Sequence, residues 1–152
     1  MKKIDIDKAE VRAGSRYPAP FHENGMNKFR RRLAHAAGLT QFGINLLTLR
    51  PGAWSSQRHW HSHNDEFVFV VSGEVVLMTD AGEEMLRAGD CAGFKAGDAD
   101  GHHLINRSDR DAVVLEIGSD HIDDLCTYSD IDMLGTSAGW TRKDGTAYPL
   151  RT

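Results

Sequence analysis

Cysteine is scarce in this sequence. Cys91 and Cys126 stand far apart and are too few for a disulfide framework, so a reduced, cytoplasmic protein is expected, with both thiols as packing residues. Long apolar runs are missing too. The longest, Phe67 to Val71, is far too short to cross a bilayer. Met1-Lys2-Lys3 leads into charged residues and not an apolar stretch, so no signal peptide is expected. No charge of one sign dominates. The net charge of −4 gives no reason to expect nucleic acid or a membrane as partner. No segment reads as an N-terminal helix-turn-helix, which argues against a direct regulator of DNA. No low-complexity segment occurs. At 152 residues and 40% hydrophobic, the chain is sized for one soluble domain with a sizeable core.

Histidine is concentrated where it can act. His59, His61 and His63 fall within eight residues of Glu66, and His102-His103 forms a second cluster. Histidines two apart on a strand share a face, with Cα atoms roughly 6.7 Å apart. Imidazole is the commonest metal ligand, and carboxylate suits hard or borderline cations. His59, His61 and Glu66 could therefore converge on one ion, with a fourth ligand from His102-His103. Strand alternation sends His102, Leu104 and Asn106 to one face and His103 and Ile105 to the other, so only one of that pair can face an interior.

The periodicity is that of strands. Residues 1–39 read as an N-terminal arm, extended at Tyr17-Pro18-Ala19-Pro20-Phe21 because proline biases its predecessor away from helix. A short helix is expected within Lys28 to Gly38, from the spacing of Phe29, Leu33 and Ala36 and a capping Gly38. Its arginine run reads as a solvated or subunit-facing surface. Residues 40–118 hold about eight strand-like segments with turn signals at short intervals, which argues for a sandwich or barrel. Among them are 43–49, 54–61, 66–72, 74–79, 83–86, 91–94, 102–106 and 112–118. The apolar segment 66–72 is expected to be buried on both faces. Asp120 to Asp124 reads as solvated. The tail, 119–152, is expected to pack as irregular coil on the barrel or on a partner.

These residues resemble the motifs of a known family, the single-domain cupins. The first family motif is a Gly, a spacer, His-x-His, three or four residues, Glu, six residues and Gly. Gly52, His59, His61, Glu66 and Gly73 fit it, with one extra residue in the first spacer. In the second motif Gly89, Gly97, His102 and Asn106 fit, while Lys95 replaces a proline and the stretch from Gly97 to His102 is two residues longer. The resemblance implies an all-β fold, a double-stranded β-helix or jelly-roll barrel. It also implies a metal site of His59, His61, Glu66 and His102. His63 and His103 then become candidates for the substrate mouth.

Such a site implies one divalent transition metal: Fe, Mn, Ni, Co or Zn. The expected function is that of a metal-dependent enzyme, a dioxygenase, decarboxylase or isomerase, acting on a small oxygen-rich molecule. The alternative is a non-enzymatic module that binds or senses a small molecule through a metal anchor. An open jelly roll has edge strands that need cover, and barrels of this family often pair, so a homodimer is expected.

Overall fold

The computed structural model describes residues 3–149. Two strands precede the expected barrel: β1 (Val11–Ala13) and β2 (Lys28–Arg32). A single helical turn, α1 (Leu33–Ala37), follows and ends at Gly38 in the left-handed conformation. The expected helix is therefore half strand. Lys28 to Arg32 pair in register with Leu49 to Asn45 of β3 (Phe42–Leu49), and that pairing overrides the helical spacing of a short segment.

The barrel continues through β4 (His59–His61), β5 (Glu66–Ser72), β6 (Glu74–Thr79), β7 (Gly82–Arg87), β8 (Cys91–Phe94), β9 (His103–Ile105) and β10 (Ala112–Ser119). Trp54 to His61 was expected as one strand. Only its last three residues are, and Trp54 makes an isolated bridge to Ile105. The tail is not irregular. It contributes β11 (Cys126–Tyr128), β12 (Leu134–Thr136) and β13 (Gly139–Thr141). All strand pairs are antiparallel, in three sheets ordered β1-β2-β3-β10-β5-β8, β13-β12-β11-β4 and β7-β6-β9. The architecture is that of a jelly-roll barrel, extended at one edge by the arm and lengthened around its mouth by the tail.

Alternation along the strands decides what faces inward. Leu47 and Leu49 of β3, Val68 and Val70 of β5, Val75 and Leu77 of β6, Leu104 of β9, and Ala112 and Val114 of β10 form one buried cluster. Each large member contributes roughly 1.5–3 kcal/mol of burial. A second cluster joins arm to tail, with Tyr17 and Phe21 packed against Tyr128, Met133 and Trp140.

The outer face of β5 departs from expectation. Phe67, Phe69 and Val71 are 40%, 37% and 48% exposed, so the strand is buried on one face only in the single chain. Cys91 is likewise exposed and not a packing residue, whereas Cys126 is buried. Gly73 joins β5 to β6 at φ +76°, where a Cβ would lie 2.8 Å from the Asp111 carbonyl oxygen. Glycine alone fits that turn. Fully buried Asn106 staples the turn after β9. Its amide donates to the Leu49 and Arg110 carbonyls, and its oxygen accepts from the Ser108 N–H and hydroxyl.

Candidate metal centre

The core row of the six-stranded sheet gives way to polar residues toward the barrel mouth. Glu66 opens β5 with its side chain on the same face as Val68 and Val70. His59 and His61 project together from β4, which the tail strand β11 holds in place through the pairs Tyr128 with His59 and Cys126 with His61. His102 enters just before β9, where His59 and His102 exchange two backbone hydrogen bonds of 3.2 and 2.9 Å. Four side chains from three separate stretches are thereby brought to one point.

Their Nε2 atoms surround a single carboxylate oxygen. Glu66 Oε2 lies 2.8 Å from His102 Nε2 and 3.6 Å from both His59 Nε2 and His61 Nε2. Neighbouring ligands of one ion with bonds of roughly 2.1 Å lie at about 3 Å from each other, so the spacing fits a shared cation. His102 stacks flat on Phe94 with ring centroids 3.5 Å apart, and its Nδ1 is buried with no hydrogen-bond partner.

The far ring nitrogens of the first pair are held. His59 Nδ1 lies 2.9 Å from the Gln57 carbonyl, which can only accept, so Nδ1 carries the proton. Burial, set partly against the charge of Glu66, lowers the His59 pKa to about 4. At neutral pH its Nε2 is therefore a bare lone pair aimed at a carboxylate. His61 Nδ1 lies 2.5 Å from Asp124 Oδ2. Burial raises the Asp124 pKa, but the His63 N–H and the His61 ring outweigh it, and the net direction is down. Glu66 follows the same logic. Burial pushes its pKa up, and the His102 hydrogen bond and the surrounding imidazoles bring it down to about 2. An ionised carboxylate and a bare imidazole nitrogen, both acceptors, thus sit side by side, and a cation between them satisfies both. The residues fit a divalent metal.

The other histidines are placed differently. His63 is exposed, hydrogen-bonds Ser62 Oγ at 2.8 Å and stacks on His121, outside the ring of residues that line the cavity. His103, expected off the inner face at the substrate mouth or between subunits, is among the residues that line the cavity. It is 4% exposed, edge-on to Trp54 and bonded through Nδ1 to the Ser56 carbonyl at 3.0 Å, because the segment before β4 folds over the outer face of β9.

Several site residues carry no signal in the sequence. Asp124 reads as part of a solvated acidic run, yet it anchors His61 from 63 residues away. Cys126 places its sulfur within 4.8 Å of ligand atoms of His59 and His61, with its thiol pKa pushed up to about 12, chiefly by burial. The arginine run is not solvated throughout. Lys28, Arg30 and Arg32 alternate onto the inner face of β2 and line a cavity of about 810 Å³ that also contains the histidine cluster. Arg30 grips Glu116 of β10 through Nε and Nη2 at 2.6 and 2.9 Å. A period-two reading of Lys28-x-Arg30-x-Arg32 would have found that face.

A family model described as a cupin domain matches residues 45–118. Among solved structures, a sugar phosphate isomerase of the cupin superfamily from Silicibacter pomeroyi is 44% identical, with a TM-score of 0.91 over 99% of this chain and 98% of that one. A proposed sugar phosphate isomerase from Acidithiobacillus ferrooxidans is 26% identical, with a TM-score of 0.71 over 82% of this chain and 81% of that one. The polyketide cyclase RemF from Streptomyces resistomycificus, 17% identical with a TM-score of 0.64 over 78% of this chain and 79% of that one, shares the fold. No curated protein matches the chain at a significant level.

Proposed function

The chain belongs to the cupin superfamily, and on that footing we propose that it is a metal-dependent isomerase of small phosphorylated sugars. His59, His61, Glu66 and His102 are the proposed ligands of one divalent ion: Fe, Mn, Ni, Co or Zn. The observation that carries the reading is the meeting of bare His59 Nε2 with the ionised Glu66 carboxylate inside a cavity large enough for a small sugar. The neighbour from Silicibacter pomeroyi, similar over nearly its whole length, supports the choice of an isomerase over a dioxygenase or a decarboxylase.

A divalent ion held there would act as a Lewis acid toward the oxygens of a hydroxy-carbonyl compound. The chain's own residues do the rest. Gln57 and Asp124 orient the imidazoles from behind, as outer partners of metal ligands commonly do. Phe94 covers His102 and keeps that side of the cluster dry. The Arg30–Glu116 pair lines the cavity one row deeper than Glu66 and keeps its wall polar.

The test is turnover in D2O. Metal-loaded protein mixed with a panel of phosphorylated aldoses and ketoses should convert at least one pair and place deuterium on the carbon beside the carbonyl. Chelation should stop the exchange. A panel with no conversion by metal-loaded protein would sink the isomerase reading.

The exposed stripe Phe67, Phe69 and Val71 supports assembly as a homodimer. These side chains share the outer face of the central sheet, where a large apolar stripe signals a contact surface. Light scattering at tens of micromolar should give twice the chain mass, and charged substitutions at Phe67 and Phe69 should return it to the monomer value. A monomer mass for the unaltered protein would refute the assignment.

A further inference from the structure

Lys28 is the most anomalous charge in the cavity. It is 4% exposed, and among the described residues no carboxylate pairs with it. Its Nζ donates one hydrogen bond, 2.6 Å long, to the Ser55 carbonyl, and lies 5.8 Å above the ring of Tyr17. Arg30, on the same face of β2, donates to the same carbonyl at 3.3 Å. The nearby carboxylate of Glu116 is already taken, held by Arg30 in a two-pronged grip. Two Lys28 donors and the Nη1 donors of Arg30 are left over. Arg12, Arg16 and Arg32 line the same cavity. A buried cation without a counter-charge is costly, and the cost is removed by losing the proton or by receiving an anion.

We infer that Lys28 and Arg30 form the seat of a phosphate-type dianion, holding the end of the substrate that the histidine cluster does not. The assignment rests on the proposed reading of the cavity as a site for phosphorylated sugars. Phosphate suits these donors better than a carboxylate does. It carries close to two charges and three acceptor oxygens, enough for an ammonium and a guanidinium side by side. The groups facing Lys28 are Arg30 on its own strand, Glu116 from β10, and Tyr17 and the Ser55 carbonyl from the flanking segments. Burial, then Arg30, lowers the Lys28 pKa to about 7, with Glu116 opposing. A dianion beside the amine reverses that balance, so binding above that pH takes up a proton.

The test uses inorganic phosphate as probe, titrated calorimetrically into the full chain, both metal-loaded and metal-stripped. Lys28→Gln keeps a donor for the Ser55 carbonyl while deleting the charge, and Lys28→Met deletes both. Arg87→Gln, on an exposed residue remote from the cavity, is the control. We expect phosphate to bind with or without metal, and both Lys28 variants to weaken it by roughly tenfold or more. At about pH 8, binding in two buffers of different ionisation enthalpy should report proton uptake that Lys28→Gln abolishes. Thermal melts in phosphate-free buffer should place Lys28→Met at or above the unaltered protein, since a buried unpaired charge has been removed. Phosphate affinity that depends on the metal and ignores Lys28, or no phosphate binding at all, would overturn the assignment. Neither outcome touches the isomerase reading, which stands or falls on turnover.

Discussion

Replacing His59 and His61 together by alanine should yield a folded protein that retains no divalent metal. The two rings supply half of the proposed ligands, and both meet Glu66 Oε2 at 3.6 Å. Removing a single outer partner of a metal ligand already costs roughly 10–100-fold in affinity, and removing two ligands costs far more. The fold should survive. Its stability resides in the cluster around Leu47, Val70 and Val114, none of which touches β4 in the sheet order, and the two largely buried histidines at the mouth are worth roughly 1–2 kcal/mol each. Elemental analysis and a thermal melt decide the matter. Metal content equal to that of the unaltered protein would refute the ligand assignment, and a collapsed melt would show that β4 carries more of the fold than its burial indicates.

The second large effect separates two adjacent residues. His102→Ala should empty the site, because its Nε2 lies against Glu66 at 2.8 Å. His103→Ala should leave metal content intact and destabilise the protein by roughly 2–3 kcal/mol, through the lost edge contact with Trp54 and the orphaned Ser56 carbonyl. The two variants thus fail in different assays. Metal lost on changing His103 and kept on changing His102 would mean that β9 is offset by one residue in solution, which exchanges every inward side chain for its outward neighbour.

Much of this was legible in the sequence because it is local. Glu66 and the His-x-His pair announce themselves by spacing within eight residues, and the turns at Gly73 and Asn106 by residue type. A period of two says that only one of His102 and His103 faces inward, and the resemblance to the cupin motif selects His102. What could not be read depends on distant pairing. The segment from Lys28 to Arg32 carries a helical spacing that β3 overrules, and with it went the inward placement of Lys28 and Arg30. Asp124 reaches His61 only because β11 folds back along β4. The expected burial of β5 on both faces failed for a related reason: a run of apolar residues reports affinity for cover, not which molecule supplies it.

The pairing of β11 with β4 also orders events at the ribosome. A chain synthesised as far as residue 119 already holds every strand of the six-stranded sheet and the pairing of β9 with β6, so the apolar core can form early. The histidine strand cannot be finished then. Its hydrogen-bonding partner, and the carboxylate that turns His61 toward the centre, arrive only with residues 124–128. A chain ending before residue 124 would hold all four proposed ligands but lack the outer partner of His61, so its barrel should remain and its metal affinity should fall by roughly 10–100-fold.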